Sequence, residues 1–418
     1  DGFTELLHAT HVATFTIGSS TYAIVTGQDD HGVQIIDISD PNKIVAMDAE
    51  TDGVNGFTEL EGAYGVETFT IGSSTYAIVT GQDDNGVQII DISDPSNIVA
   101  KDSAANTTFG GDFDGLWKPT TVAIFTIGSS TYAIVPSQNG GGPFSTKSMI
   151  SIIDISDPAN ITETDTATQG VNGFDFITIA HDVETFTIGS STYAIVPSSN
   201  LNAVQIIDIS DPTAIVAKDA ETDGANGFTH LDDPTSVDTF VIGSSTYAIV
   251  ASGGDDGVQI IDISNPTDIV AKGTAGFTNL SAVEHVSTFT IGSSTYAIAT
   301  GMNDDRLEIF DISDPDNIVA KDTATDEEDG FTELDGPIGV AIFTIGSSTY
   351  AIVAACHGCD IDDLTGGVQI IGLGSTADDG GSSMCARLVI LGNCGTIAIN
   401  NDEYQIIHPW STIPTTEV

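Results

Sequence analysis

A seven-residue phrase, Gly18-Ser19-Ser20-Thr21-Tyr22-Ala23-Ile24, returns almost unchanged at Gly72, Gly128, Gly189, Gly243, Gly292 and Gly346. Successive glycines lie 54, 56, 61, 54, 49 and 54 residues apart. That spacing is too regular for chance and too long for one coil of a β-helix, so the chain is one unit in seven tandem copies. A second phrase keeps the same step: Ile35-Ile36-Asp37-Ile38-Ser39-Asp40-Pro41, whose first aspartate recurs as Asp91, Asp154, Asp208, Asp262 and Asp311. The fold must therefore be a set of equivalent parts, each burying its apolar face on its neighbours.

Residues 66 to 104 give the clearest copy. Val66-Glu67-Thr68-Phe69-Thr70-Ile71 alternates and is β-branched, Gly72-Ser73-Ser74 is a turn, and Thr75-Tyr76-Ala77-Ile78-Val79 is a second run, so the pair reads as a hairpin. Polar Gln82-Asp83-Asp84-Asn85-Gly86 leads to a third strand, Val87-Gln88-Ile89-Ile90-Asp91-Ile92. Ser93-Asp94-Pro95 closes it, because proline cannot continue a ladder. Ile98 to Asp102 make a short fourth strand. Four antiparallel strands per unit and seven units in tandem predict an all-β, seven-bladed β-propeller over residues 1–375. Residues 376–418 form a short β-rich extension.

The wording "YAIV…GVQIIDISDP" resembles the LVIVD-type propeller repeat of extracellular bacterial and archaeal proteins, over roughly residues 1 to 374. The resemblance implies the propeller fold and an extracellular setting. It implies no catalytic residue, because such repeats serve as scaffolds in proteins of varied role.

Composition agrees with an exposed, saline setting. Sixty acidic residues against nine basic ones give a formal charge of −51, while 40% of residues are apolar, so this is an acidic folded surface and not a disordered acidic tail. Nucleic acid is excluded by repulsion, and no window reaches the ~20 apolar residues a membrane helix needs. Asp1-Gly2-Phe3-Thr4-Glu5-Leu6 matches the internal Asp329 to Leu334, so the chain begins inside a repeat linker, as a processed chain would. Asn106, Asn160 and Asn279 head sequons that permit glycosylation in a secreted protein.

In a propeller the first strand of each blade lines the shaft. The loops between second and third strands then share one face with the interblade linkers, and that face carries the sequence variation expected of a ligand or partner surface. Its paired acids, Asp29 and Asp30, Asp83 and Asp84, Asp255 and Asp256, Asp304 and Asp305, offer oxygen ligands for calcium, although none follows the spaced D-x-D-x-D-G loop. Solvated, salt-adapted turns explain them equally. The third unit departs most, with Trp117 and Lys118 in its linker and Phe144 and Lys147 in an expanded loop, a candidate contact patch for a glycan or an acidic subunit.

His11 and His285 share one slot, seven residues before the turn glycine, and Asp182 holds it in the fourth unit beside His181. Gly65, Thr121, Ser236 and Gly339 fill the other slots, so the imidazoles are expected to be spread around the shaft mouth, where they would hydrogen-bond to shaft water or, if they converge, bind a transition metal. Cys356, Cys359, Cys385 and Cys394 read as two disulfides, preferably Cys356 with Cys359 and Cys385 with Cys394, out of three connectivities; the alternative is a metal or redox C-x-x-C. There is no nucleophile elbow, no H-E-x-x-H and no phosphate loop.

These features point to a secreted or cell-surface structural or adhesive propeller with no enzymatic activity. Its partner is expected to be itself, in a filament or surface layer joined through Tyr404, Ile406 and Trp410 of the C-terminal extension. The competing expectation is an extracellular metal-dependent enzyme or ligand-binding propeller with its site at the shaft mouth.

Overall fold

In a computed structural model, the structure describes residues 2–106, 113–138, 148–276, 280–328, 331–356, 366–375 and 387–389. These form seven antiparallel sheets of four strands, and within each sheet the strands lie in chain order. The sheets span residues 9–51, 63–105, 123–168, 184–222, 234–276, 283–325 and 337–389, which we call blades 1 to 7.

Blade 2 shows why the repeat folds this way. Its strands are Ala63–Ile71, Ser74–Gly81, Gly86–Asp91 and Val99–Ala105, so the fourth runs three residues past the sequence expectation. Ile71 pairs with Ser74 across a two-residue turn, and Gly72 enters it at φ +64°. Only glycine takes that conformation at no steric cost, which is why the phrase opens on Gly in every unit. Beside the turn Phe69 stacks on Tyr76 at 5.5 Å, and the equivalent pair recurs in the other six blades.

The second and third strands are buried along nearly their whole length, because neighbouring blades cover both faces. This accounts for continuous apolar runs in place of alternation. Seven buried clusters result among the described residues, one at each junction between blades. Between blades 1 and 2, for example, Ile24, Val33 and Ile35 meet Val66, Ala77, Val79 and Ile90.

Ring closure uses the same device. Val12, Ala23, Val25, Ile36 and Ile38 of blade 1 pack on Phe343, Ile352, Ala354, Val368 and Ile370 of blade 7. Blade 7 takes its fourth strand, Arg387–Val389, from beyond the last repeat and pairs it with residues 370–372. The extension thus completes the last blade within the same chain. First strands of adjacent blades touch one another, which places them around the central shaft.

Candidate functional site: the shaft mouth and the linker face

At the shaft mouth His11, Tyr64, His181, Asp182, Thr235, Ser236, Glu284, His285 and Ile338 enclose a polar cavity of about 20 Å³. That is room for a water-sized occupant. The two histidines of the shared slot are aimed by a bulge. In blade 1 the pairing jumps from Ala9 to Val12, and Thr26 fills the gap: its Oγ1 accepts from His11 N at 3.1 Å and donates to the Tyr64 carbonyl at 2.6 Å. In blade 6 the jump runs from Val283 to Val286. There Thr300 Oγ1 accepts from His285 N at 3.0 Å and donates to Ile338 O at 2.9 Å. A bulge with a hydroxyl plug turns the following side chain into the shaft.

Blade 7 lies between these two, and its slot residue is Gly339. A Cβ there would stand 2.4 Å from the Thr10 carbonyl oxygen, so only glycine allows the close approach. With no side chain intervening, the His11 and His285 rings meet edge to face at 5.9 Å between centroids. His11 also lies 4.8 Å from the Tyr64 ring. The Nδ1 atoms of both histidines are buried without a hydrogen-bond partner.

Burial dominates the electrostatics. It lowers the His11 pKa to about 3, helped by His285 and His181 and opposed by a backbone hydrogen bond at Tyr64. His285 and His181 are lowered for the same first reason, with Asp182 opposing in both and Asp233 also opposing at His181. All three imidazoles are therefore neutral at neutral pH. Burial raises Glu284 to about 7, with Asp233 adding to the shift. Asp182 is fully engaged, Oδ1 accepting from Val183 N and Oδ2 from Ser236 Oγ and Val237 N at 2.8–2.9 Å. Deeper in the shaft, burial raises Glu67 to about 7 and Asp238 to about 6, and raises Glu184 strongly.

The linker face holds the residues expected to bind calcium, and there a different pattern appears. Asp30 Oδ2 accepts from Leu7 N, Asp84 Oδ2 from Glu61 N and Asp255 Oδ2 from Asp232 N, each at 2.7–2.9 Å. Each is a loop acid tied to the linker that enters its own blade. The loop also reaches the next linker. Gly62 N donates to His31 Nδ1, Lys118 N to Asn85 Oδ1, Ile179 N to Ser148 Oγ, Asp233 N to Asn202 Oδ1, Ala282 N to Asp256 Oδ1 and Gly336 N to Asp305 Oδ1. Every donor in that series has a left-handed backbone, with φ between +45° and +67°.

Loop side chains, Asp256 and Asp305 among them, are thus acceptors that latch blade to blade. Asp29 lies 3.5 Å from His8 and Asp83 3.3 Å from Lys118, and Asp304 ends a 3-10 turn. Among the described residues no three of His, Cys, Asp and Glu already stand together at ion-holding distances.

Of the third unit's patch, Trp117 is half-buried and Lys118 is exposed, with its ammonium on Asp83. Phe144 and Lys147 lie outside the described residues, as do Tyr404, Ile406, Trp410, Asn279, Cys359, Cys385 and Cys394. Cys356 is buried at the end of a strand. Asn160 is exposed in a turn. Asn106 is 4% exposed and its Nδ2 donates to Asp114 O, so the amide a glycan would join faces inward.

Sequence reasoning singled out His11, His285 and His181 but passed over Tyr64, Glu284, Glu67, Glu184 and Asp238. Their signal was available. Tyr64 and Glu284 stand eight residues before the turn glycine, and Glu67, Glu184 and Asp238 stand five before it.

Comparison with known proteins follows this geometry. The family described as LVIVD repeat matches residues 73–105, 147–168, 193–220 and 241–275. This chain is a seven-bladed β-propeller that contains LVIVD repeats. Among solved structures, the LVIVD propeller resembles a functionally unknown protein from Desulfotomaculum acetoxidans, at 12% identity over 84% of this chain and 98% of that one, TM-score 0.54. A protein from Lactobacillus plantarum aligns at 13% identity over 88% and 93%, TM-score 0.54. BBS1N, solved in complex with ARL6DN, aligns at 7% over 86% and 92%, TM-score 0.54. Likeness at these identities concerns the fold alone. No curated protein matches the chain. No helix among the described residues is long and apolar enough to cross a membrane.

Proposed function

We propose that this LVIVD propeller is a secreted or cell-surface structural module, adhesive in the sense that it joins copies of itself into a filament or layer. The observation that carries this reading is the latch series. Loop side chains, the candidate calcium acids Asp256 and Asp305 among them, accept hydrogen bonds from the linkers at six successive junctions. Selection for such a series favours a rigid ring over a tailored pocket. The competing enzymatic reading meets a size limit, since no organic substrate enters a cavity of about 20 Å³.

Joining is assigned to the tail around Tyr404 to Trp410, adding to an exposed edge of the next molecule, a head-to-tail contact that propagates into fibres. Trp117, Phe144 and Lys147 offer a second contact, for a glycan or a neighbouring acidic subunit. All four cysteines are paired in this reading, as the secreted setting favours. Deleting residues 401 to 418 tests the tail: the intact chain is expected to form assemblies by electron microscopy at high salt, and the truncated one single rings. Unchanged polymer rejects the tail, and only single rings from the intact chain reject assembly. Titration of the denatured, unreduced protein is expected to find no free thiol, and four would reject the pairing.

A further inference from the structure

We propose that the shaft mouth is a binding site for one borderline divalent transition-metal ion of the zinc class, held by His11 and His285. The inference is independent of the scaffold reading, because it rests on the shaft and not on the loops or the tail.

Size restricts the occupant first. A cavity of about 20 Å³ takes a water or a bare ion and nothing larger. Polarity restricts it next: the walls carry the carboxyls of Asp182 and Glu284 and no lysine or arginine, which favours a cation over an anion.

Donor chemistry then selects the class. His11 and His285 each bury an Nδ1 with no hydrogen-bond partner, and a buried polar atom left in that state loses on the order of 1–3 kcal/mol unless something occupies it. Neutral imidazole is the form that ligates. Imidazole suits zinc, copper and nickel, while calcium and magnesium prefer oxygen.

Geometry fits a shared ion. A zinc-bound imidazole nitrogen sits about 2.0–2.1 Å from the metal, so two rings with centroids 5.9 Å apart are within the span one ion bridges. Two ligands are thus placed in advance, and since among the described residues no third His, Cys, Asp or Glu stands with them as a ready-made ion-holding group, water completes the shell. His181 is the remaining imidazole on the wall.

The test uses the full chain, stripped with chelator, and Zn²⁺ as the probe in about 10 mM CaCl₂ to occupy surface carboxylates. Calorimetry is expected to show one zinc per chain, and H11A/H285A is expected to weaken it by at least about tenfold, since even outer-shell changes cost roughly 10–100-fold. Circular dichroism checks that the variant keeps its sheets. X-ray absorption on the wild type, at one equivalent of zinc, needs no variant and is expected to show two imidazole shells with nitrogen and oxygen neighbours. No stoichiometric zinc, zinc bound equally well by the variant, or sulfur neighbours pointing to the cysteines would each overturn the proposal.

Discussion

Glu67 illustrates what a single side chain does in the shaft. Its carboxyl is raised from an ordinary 4.5 to about 7 by burial, against a stabilising hydrogen bond from Thr68 N at 2.8 Å. A raised carboxylate pKa means the folded ring binds more protons than the unfolded chain between the two values. Stability therefore falls as pH rises through that window, and the cost is complete above about 7. Glu67→Gln keeps an acceptor for Thr68 and removes the ionisation, so the variant is expected to gain on wild type as pH increases from 4.5 to 8. The shift bounds the gain at about 3 kcal/mol at 1.36 per unit, and shaft water reduces it to roughly 1–2. Paired urea titrations at pH 4.5 and 8 check it, and a gain independent of pH rejects the assignment. At this scale the sequence was half legible. Aligning the repeats on their turn glycine put His11 and His285 in one slot, yet whether that slot faces water or neighbours depends on the bulges plugged by Thr26 and Thr300, which no alternation pattern encodes. The acids five residues before the glycine sit in an alternating strand like any solvated polar residue, and only closure of the ring makes that face an interior.

The strands were more legible than the contacts between them. Hairpin, third strand and proline stop follow from β-branched runs and turn residues, and the blades differ from expectation mainly in a longer fourth strand, Val99–Ala105 in blade 2. The fourth-strand aspartate has a role no single unit reveals. Asp48, Asp102, Asp165 and Asp219 each accept through Oδ2 from the backbone N–H of Ile98, Ile161, Ile215 and Ile269, in the turn of the next blade, at 2.8 Å. In blade 5 glycine stands there, and Gly273 N donates to Pro315 O instead. Blade 6 has Asp322, whose Oδ1 accepts from its own neighbour Thr323, as Asp165 Oδ1 does from Thr166. Among the described residues the two sites thus share the local bond, and only Asp165 adds a cross-blade one. Asp165→Ala is expected to destabilise by about 1–2 kcal/mol more than Asp322→Ala, because Ile215 N loses its acceptor. Equal urea midpoints for the two variants would remove the latch from the account. Sequence reading offered the loop acids as calcium ligands or solvated turns because it sees charge and spacing within a unit, whereas the donors they serve lie 23 to 31 residues away, as from Leu7 to Asp30 and from Gly336 to Asp305.

Over the whole molecule the opposing terms are apolar junctions and like charge. Seven clusters of similar make-up hold the ring, and the junction between blades 7 and 1 is packed like the rest, since every blade is built from consecutive strands. Closure therefore uses no exchanged strand, only side-chain packing with a hydrogen bond from Thr14 Oγ1 to Ile342 O, and it works against the mutual repulsion of 60 acidic residues balanced by nine basic ones. Three of those nine are committed within blades, Lys101 to Asp91, Lys218 to Asp208 and Lys321 to Asp311, at 2.9–3.1 Å, surface pairs of small individual worth. Screening length falls from about 10 Å at 0.1 M salt to about 3 Å at 1 M, so repulsion across the ring fades while the buried junctions are untouched. Raising NaCl from about 0.05 to 1 M is expected to raise the thermal midpoint by roughly 10 °C and to level off there, as self-repulsion is removed. Calcium separates screening from site binding. With loop acids already bonded to linker N–H groups, 1 mM CaCl₂ adds no more than its ionic strength; a saturable rise of several degrees at that concentration would mean that the latches yield to an ion and that the linker face, not the shaft, is where the propeller holds metal.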